Sequence, residues 1–246
     1  MRYFSYLFLV AILVVISCEK GSDATMLKGT VKGQIQVTDC YGYDLDDLSG
    51  VKINISSGIY SADTITDVHG NFLFNNVPFG KYKLTCTKEN FIQQNRRASF
   101  GHSGGEIATT VKEQLFGIPD FGYIVDSVER YNCQLNSYLM LNEASKTWGG
   151  GIYLVLMFYN DTSDVDSENY DAYQFDLKTL PPGNAWKMFF FCCDIYTGHP
   201  AYSEITGDSV YCRVYPIPYC YVDTQEEYLS LPMGKPSNVF AFENNF

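Results

Sequence analysis

The stretch of residues 64–91 constrains the fold of this chain most, because polar and apolar side chains alternate there with a period of two. Tyr82, Leu84 and Cys86 are separated from one another by single lysine or threonine residues. Successive side chains of a β-strand point to opposite faces of a sheet, so this period predicts strands rather than helices. One buried and one solvated face are typical of antiparallel sheets, and we therefore predict an antiparallel sheet here.

The same stretch contains a tight turn at residues 67–70. Gly70 occupies the turn position that takes a positive φ, a conformation that glycine adopts without steric strain. Phe72 and Phe74 follow on one face of the next strand. Comparable alternation recurs on either side of the stretch, giving about seven short strands between residues 27 and 116, a spacing that predicts a β-sandwich.

Several short motifs in this first part resemble those of the carboxypeptidase regulatory-like domain. They are GTV at 29–31, LSGVKI at 48–53, TITD at 64–67, GNF at 70–72, VPFGKY at 77–82 and NF at 90–91. The resemblance implies a transthyretin-like β-sandwich for residues 27–116, with a structural or adhesive role and no catalytic residues. That domain also occurs in outer-membrane glycan transporters and in many bacterial surface lipoproteins. His69 departs from the family pattern, which usually has Asp or Asn at that turn position.

Residues 117–246 predict a second β-rich domain. Residues 152–159, IYLVLMFY, are continuously apolar, which is typical of a central strand that is buried on both faces. Other strand-like segments alternate with glycine- and proline-containing turns, and no long amphipathic helix is evident. We therefore predict an all-β fold class with two β-sandwich domains, transthyretin-like at 27–116 and immunoglobulin- or fibronectin-like, of no named family, at 117–246.

The N-terminus has the pattern of a targeting segment. Arg2 is followed by an apolar run at residues 3–16 that is too short to cross a bilayer, which is typical of a signal peptide. The run ends in Val-Ile-Ser-Cys, which resembles the bacterial lipobox, and this resemblance implies removal of residues 1–17 and lipidation of Cys18. An ordinary signal peptide with an incidental Cys18 is the alternative. Residues 18–26 then form a lipidated tether, and the expected location is the outer membrane of a Gram-negative bacterium, exposed at the cell surface.

Net charge indicates which partners the protein can bind, and cysteine content indicates whether its thiols are paired. The net charge of -11 argues against nucleic acid, because phosphate binding needs clustered Lys and Arg. Of the 8 Cys, Cys18 is assigned to lipid, and the odd number that remains cannot all pair. We expect free and mostly buried thiols.

The sequence Gly-His-Ser-Gly-Gly at residues 101–105 fits the G-x-S-x-G pattern of hydrolases, with Ser103 as the nucleophile. That motif requires a strand-to-helix turn, whereas residues 106–111 have the pattern of a strand. The candidate base downstream is His199, within a Thr-Gly-His-Pro turn. A glycine loop is the favoured interpretation, and we predict that the protein is not an enzyme.

The loop that follows the apolar strand carries spaced acidic residues. Asp161, Asp164, Asp166 and Glu168 are candidate calcium ligands, because calcium takes six or more oxygen ligands. The loop lacks the central glycine of the helix-loop-helix calcium motif, so a plain acidic loop is favoured. No other cofactor is expected.

Four aromatic residues are candidate ligand contacts: Trp148, Trp186, Tyr219 and Tyr221. Rings on loops stack on sugar faces or anchor protein interfaces, although packing within a sandwich is the alternative. The predicted function is that of a non-enzymatic surface lipoprotein which presents a β-sandwich to a glycan or to a protein of an outer-membrane complex, as in nutrient uptake. The alternatives are a structural spacer, an adhesin- or fimbria-like assembly subunit and, less favoured, a hydrolase.

Overall fold

The computed structural model describes residues 27–131, 134–143, 146–147, 149–180, 182–183, 185–191 and 206–243. The predicted signal peptide, Cys18 and the tether lie outside these ranges. The described part of the chain is all-β, which confirms the predicted fold class, and its one helix is a single turn. Within those ranges, no helix is long and apolar enough to cross a bilayer.

Fifteen strands and the short helix α1 follow one another along the described chain. The first part contains β1 (Lys28–Thr38), β2 (Lys52–Ser56), β3 (Ser61–Ile65), β4 (Asn71–Pro78), β5 (Gly80–Thr87), β6 (Phe91–Gln93), β7 (Ser99–His102) and β8 (Gly105–Gly117). The second contains β9 (Tyr123–Tyr131), β10 (Gln134–Leu141), β11 (Gly151–Asn160), β12 (Ala172–Leu180), β13 (Ala185–Phe191), β14 (Ser209–Ile217), α1 (Gln225–Tyr228) and β15 (Phe240–Glu243).

The first eight strands form two four-stranded sheets, ordered β4-β1-β8-β6 and β3-β2-β5-β7. Both sheets contribute to one buried core, whose members include Val31, Ile35, Ile53, Phe74 and Leu84. Alternate residues of each strand enter this core, as the period of two in the sequence predicts. Together the two sheets form the sandwich that the strand spacing predicts.

The turn at Gly70 is confirmed. Gly70 has a φ of 76°, and its N–H donates to the carbonyl of Asp67 at 2.9 Å. A side chain at this position would overlap the carbonyl oxygen of Ile35, so both backbone conformation and space require glycine. The Asp67 carboxylate accepts from the N–H groups of His69 and Asn71, which lowers the pKa of Asp67 and closes the turn.

One feature of the first sandwich differs from the sequence-based prediction. The central pair, β1 and β8, is parallel rather than antiparallel, and β8 covers 13 residues instead of the short strand predicted at 106–111. Side chains alternate in the same way in parallel and antiparallel strands, so the period of two does not reveal strand direction. Strand β8 can lie parallel to β1 because the chain crosses from one sheet to the other at β5, β6 and β7 before it enters β8.

The second group of strands also forms two sheets, ordered β13-β10-β9 and β12-β11-β14-β15. Strand β11 is buried on both faces, as its apolar sequence predicts. Val155, Met157 and Tyr159 pack into the core between the two sheets. Leu154, Leu156 and Phe158 pack into a separate cluster on the opposite face, which the segment after β14 covers.

The two groups of strands meet through side-chain packing and isolated backbone hydrogen bonds rather than through a shared ladder. Tyr41 stacks on Phe121, with ring centroids 5.2 Å apart, and belongs to the core of the second group. Ile92 of β6 packs against the cluster on the outer face of β11. No ladder in the described residues joins β1–β8 to β9–β15. The predicted boundary between residues 116 and 117 falls at the end of β8, and the division into domains stays a prediction.

Candidate functional site: a cleft between the two sandwiches

A cleft lies where the outer face of the β1–β8 pair approaches the segment that follows β14. Three neighbouring cavities of about 320, 550 and 300 Å³ share Gln94 and together form this cleft, which we name the Gln94 cleft. Its lining includes Gln34, Gln36, Thr38, Gln94, Asn95, Lys112, Glu113, Gln114, Phe116, Phe175, Tyr219, Tyr221 and Tyr228. One wall is rich in amides and the other is rich in aromatic rings.

The amide wall follows from the parallel register of β1 and β8. Gln34 lies opposite Lys112, and Gln36 lies opposite Gln114. These residues alternate with the core positions of the same strands, so their side chains emerge on the outer face of the sheet. The backbone N–H of Gln94 donates to the carbonyl of Gln114 at 2.9 Å, which adds a further glutamine beside the pair.

Gln114 is held in place by a short chain of hydrogen bonds. Its Nε2 donates to Thr38 Oγ1 at 2.9 Å, and Thr38 Oγ1 donates to Asp44 Oδ1 at 3.0 Å. An amide group carries both donors and acceptors, so a glutamine fixed in this way can bind a hydroxyl group in either role. The wall therefore presents oriented hydrogen-bonding groups and little net charge.

The aromatic wall comes from three segments. Tyr219 is half-buried and packs edge-to-face on Phe116, with ring centroids 5.4 Å apart. Tyr228 stacks on Phe175 at 4.5 Å, and burial raises the pKa of Tyr228, so the phenol stays neutral. Tyr221 is 58% exposed at the rim. Such rings offer flat apolar faces with a polar group at the edge.

Contacts between the sandwiches set the width of the cleft. The backbone N–H of Tyr221 donates to the carbonyl of Gln94, within an isolated parallel bridge between Asn95 and Tyr221. Arg97 forms ion pairs with Asp223 and, at 2.5 Å, with Glu227. Exposed ion pairs contribute little to stability, so we assign this group an orienting role.

A polar cluster stands at one end of the cleft, around Asp120. Cys40 Sγ and the Tyr41 hydroxyl both donate to Asp120 Oδ1 at 3.3 Å. Burial raises the pKa of the Cys40 thiol to about 12, and it raises the pKa of Tyr41 as well. A nucleophilic cysteine needs a lowered pKa, so this thiol is a packing group rather than a reactive one.

The predicted aromatic contacts are placed as follows. Tyr219 and Tyr221 both line the Gln94 cleft. Trp148 lies outside the described residues. Trp186 lies in β13, and this strand contributes none of the described lining residues. The side chain of Trp186 is not among those that the structure describes.

The predicted calcium ligands are not brought together. Asp166 Oδ1 accepts from the N–H groups of Glu168 and Asn169, each at 2.8 Å, and these bonds lower the pKa of Asp166. Asp164 accepts from the Thr162 hydroxyl. In the described part of the chain, no group of three or more His, Cys, Asp or Glu side chains could hold a metal ion, so Asp161 belongs to no such group.

The loop at Ser103 has the geometry of a strand connection. Gly104 and Gly105 have φ values of 70° and 85°, and β8 begins at Gly105, so no helix follows the serine. Ser103 Oγ contacts the carbonyl of Gly104 at 3.5 Å. The adjacent His102 is buried and bonded to Thr109 and to the carbonyl of Val77. The prediction of a glycine loop is confirmed, and His199 lies outside the described residues.

The cysteine prediction is confirmed for Cys40, Cys86 and Cys220, which are free. Cys86, Cys212 and Cys220 are buried, and Cys40 is half-buried. Burial raises the pKa of Cys220, beside Tyr219, to about 11.

Sequence reasoning missed the amide wall. Gln34 and Gln36 stand out as a polar face of β1, but that pattern alone indicates a solvated face. Gln94, Lys112 and Gln114 gave no separate signal. Their common location depends on the parallel β1–β8 register and on a contact between segments far apart in sequence.

The described residues thus define an all-β protein whose two sandwiches enclose a cleft lined by amides and aromatic rings. No family model matches the chain, and no curated protein matches its sequence. The family therefore stays open, and the resemblance to the carboxypeptidase regulatory-like domain remains a prediction.

Comparison with solved structures gives remote similarities. A DUF3823 family protein from Parabacteroides merdae is 14% identical, with a TM-score of 0.31, over 87% of this chain and 99% of its own. A candidate carbohydrate-binding protein from Bacteroides uniformis is 12% identical, with a TM-score of 0.31, over 88% and 99%. The major pilin subunit BcpA of Bacillus cereus is 11% identical, with a TM-score of 0.35, over 88% and 69%. Similarity at this level carries no function over to the chain.

Proposed function

We propose that this protein binds a glycan in the Gln94 cleft and that it performs no chemistry on it. The observation that supports the proposal most is the pairing of an amide wall, around Gln94 and Gln114, with an aromatic wall around Tyr219. Sugar rings have apolar C–H faces that pack on aromatic rings, and their hydroxyl groups bond with amides in both directions. The two walls together match both properties of a sugar.

The size and charge of the cleft narrow the ligand class. Its cavities, of about 320 and 550 Å³, are in the range of small-molecule sites, so the ligand is an oligosaccharide segment rather than a flat polymer surface. The charged lining residues are the acids Asp39, Asp44 and Glu113 and the base Lys112. An acidic balance disfavours uronic or sulfated sugars, and we therefore expect a neutral glycan.

The proposed setting is the bacterial outer membrane. The lipobox-like sequence that ends at Cys18 implies a lipid anchor, and the protein then presents its cleft at the cell surface. A spacer or assembly subunit, the competing function, would not depend on the residues of the cleft.

A glycan array screened with the full-length protein tests the proposal, followed by calorimetric titration of the glycan that binds. We expect Tyr219→Ala and Gln114→Ala each to weaken binding about tenfold or more, or ~1.4 kcal/mol, because each removes one wall contact. Tyr138→Ala is the matched control, since Tyr138 is an exposed tyrosine of β10, outside the cleft. Circular dichroism verifies that each variant is folded.

Two results would contradict the proposal. The first is an array on which no glycan is retained. The second is a Tyr219→Ala variant whose affinity equals that of Tyr138→Ala, because binding would then lie outside the cleft.

A further inference from the structure

The end of the first sandwich at which residues 1–26 join carries four exposed apolar side chains. Leu27, Ile59, Phe79 and Ile107 are 59%, 77%, 65% and 84% exposed, and we name this group the apolar pole. We propose that the apolar pole rests on the surface of a lipid bilayer. The inference rests on the membrane anchor of the proposed function and is independent of glycan binding.

Backbone geometry places Leu27 and Phe79 side by side. Phe79 lies between β4 and β5, and its N–H donates to the carbonyl of Leu27 at 2.7 Å. The first pair of the β1–β4 ladder joins Lys28 to Pro78, so both apolar residues lie immediately beyond the end of that ladder.

A bulge exposes Ile107 at the same end. Gly29 pairs with Gly105, whereas the next pair joins Val31 to Thr109, so β8 carries extra residues between these two pairs. Bulges bend a strand and re-aim a side chain, which accounts for the exposure of Ile107.

The hairpin between β2 and β3 brings Ile59 to this end. Ser56, the last residue of β2, pairs with Lys83 of β5, and the hairpin continues toward Gly80, where β5 begins. Tyr60 of the hairpin packs edge-to-face on Tyr82 at 5.9 Å, which fixes this direction.

The charges around the pole suit a phospholipid surface. Lys28 and Lys81 are exposed within two residues of Leu27 and Phe79, and Lys83 is exposed two residues further along β5, whereas Glu106 is an exposed acidic residue next to Ile107. Lysines next to apolar side chains contact lipid phosphates while the apolar groups enter the interface. This arrangement stands out in a chain whose net charge is -11.

The length of chain before Leu27 favours lipid over another occupant. Residues 19–26 separate Cys18 from Leu27 and span at most about 30 Å when fully extended. A lipid on Cys18 therefore holds this end of the sandwich close to the bilayer. Strand β8 runs from Gly105 at the pole to Gly117 at the opposite end of the sandwich, where the cleft residues Phe116 and Gly117 lie, so this part of the Gln94 cleft is at the end away from the pole.

Tryptophan fluorescence of the full-length protein in vesicles tests the proposal. The vesicles contain phosphatidylcholine and phosphatidylglycerol with bromine atoms on the acyl chains, which quench nearby tryptophan. Ile107→Trp probes the pole, and Phe79→Trp is a second probe if the first variant does not fold. Ile65→Trp is the matched control, because Ile65 is 60% exposed at the opposite end of the same sandwich.

After subtraction of the parent protein's emission, we expect bromine to quench the tryptophan at the pole at least twice as strongly as the control. Equal quenching in protein that floats with the vesicles would overturn the membrane contact of the pole and leave the anchor intact. Protein that stays in the aqueous fraction would overturn both. Glycan titration in solution is separate from either result, so failure of the binding proposal remains distinguishable.

Discussion

Cys86 illustrates how burial controls a single titrating residue. Its side chain lies in the core of the first sandwich, and its backbone N–H donates to the side-chain oxygen of Gln93 at 2.8 Å. Burial, assisted by the negative charge of Glu113, raises the pKa of the thiol to about 12. The thiol is therefore neutral in the folded protein at pH values at which an unfolded thiol ionises.

This shift predicts a loss of stability at alkaline pH. The raised pKa means that the stabilisation is fully present below the pKa of an unfolded thiol, about 8.5, and is lost as pH rises toward 12. Urea unfolding between pH 8 and pH 11 should show the free energy of unfolding falling with pH. Cys86→Ala should make that slope shallower by up to about 1.4 kcal/mol per pH unit.

Thr85→Ala is the control for this comparison, because Thr85 is the adjacent residue of β5 and carries no titrating group. It should leave the slope as in the parent protein. Equal slopes for Cys86→Ala and the parent would show that this thiol ionises without penalty in the fold.

Strand β11 contributes buried side chains to both faces of its sheet. Leu156 and Met157 are consecutive and both buried, and they enter different clusters on the two faces of the sheet. Leu156→Ala and Met157→Ala should therefore each lower the free energy of unfolding by about 2–5 kcal/mol. Strand β4 is buried on one face only, so we expect a similar loss for Phe74→Ala and a change within about 0.5 kcal/mol for Leu73→Ala.

Urea unfolding of these four variants provides the measurement. If the loss in free energy of unfolding differed between Leu156→Ala and Met157→Ala as much as it does between Phe74→Ala and Leu73→Ala, one face of β11 would be open to solvent. The β4 pair thus serves as the internal standard for a strand with one buried face.

The positions and faces of the strands were predictable from sequence where burial is one-sided or complete. Tyr82 and Leu84 alternate with polar residues, and residues 152–159 do not alternate, and each pattern has one simple physical cause. The φ of Gly70 was predictable because a tight turn restricts that position to glycine. In each case, the information lies within a few residues of the chain.

Strand direction and the cleft depend on distant contacts and were not predictable in this way. The parallel placement of β8 beside β1 results from the path of the intervening strands. Gln114 and Tyr219 face the same cavity because Gln94 contacts Tyr221, a pair with no local pattern in common. Tyr219 and Tyr221, which line the cleft, are conspicuous in the sequence because they are rings in a loop, whereas glutamines on a strand resemble any solvated face.

The whole molecule is held together by residues of the first sandwich that belong to the packing of the second. Tyr41 lies in the core between the two sheets of the second sandwich, and Gly149 donates to its carbonyl at 2.5 Å. Ile92 packs on the outer face of the sheet that contains β11. Removal of either side chain therefore weakens the second sandwich as well as the junction.

This sharing predicts that the two sandwiches unfold as one cooperative unit. Scanning calorimetry of the full-length protein should show one transition, and the double variant Tyr41→Ala/Ile92→Ala should separate it into two, the first at least about 5 °C below the original. Each removed side chain leaves the core of one sandwich without a partner from the other, so the less stable sandwich then melts alone. Tyr60→Ala is the control, because Tyr60 packs on Tyr82 within the first sandwich and should lower the transition temperature without dividing the peak. Two resolved transitions in the parent protein would show that the junction transmits no stability, and the width of the Gln94 cleft would then not be fixed by the fold.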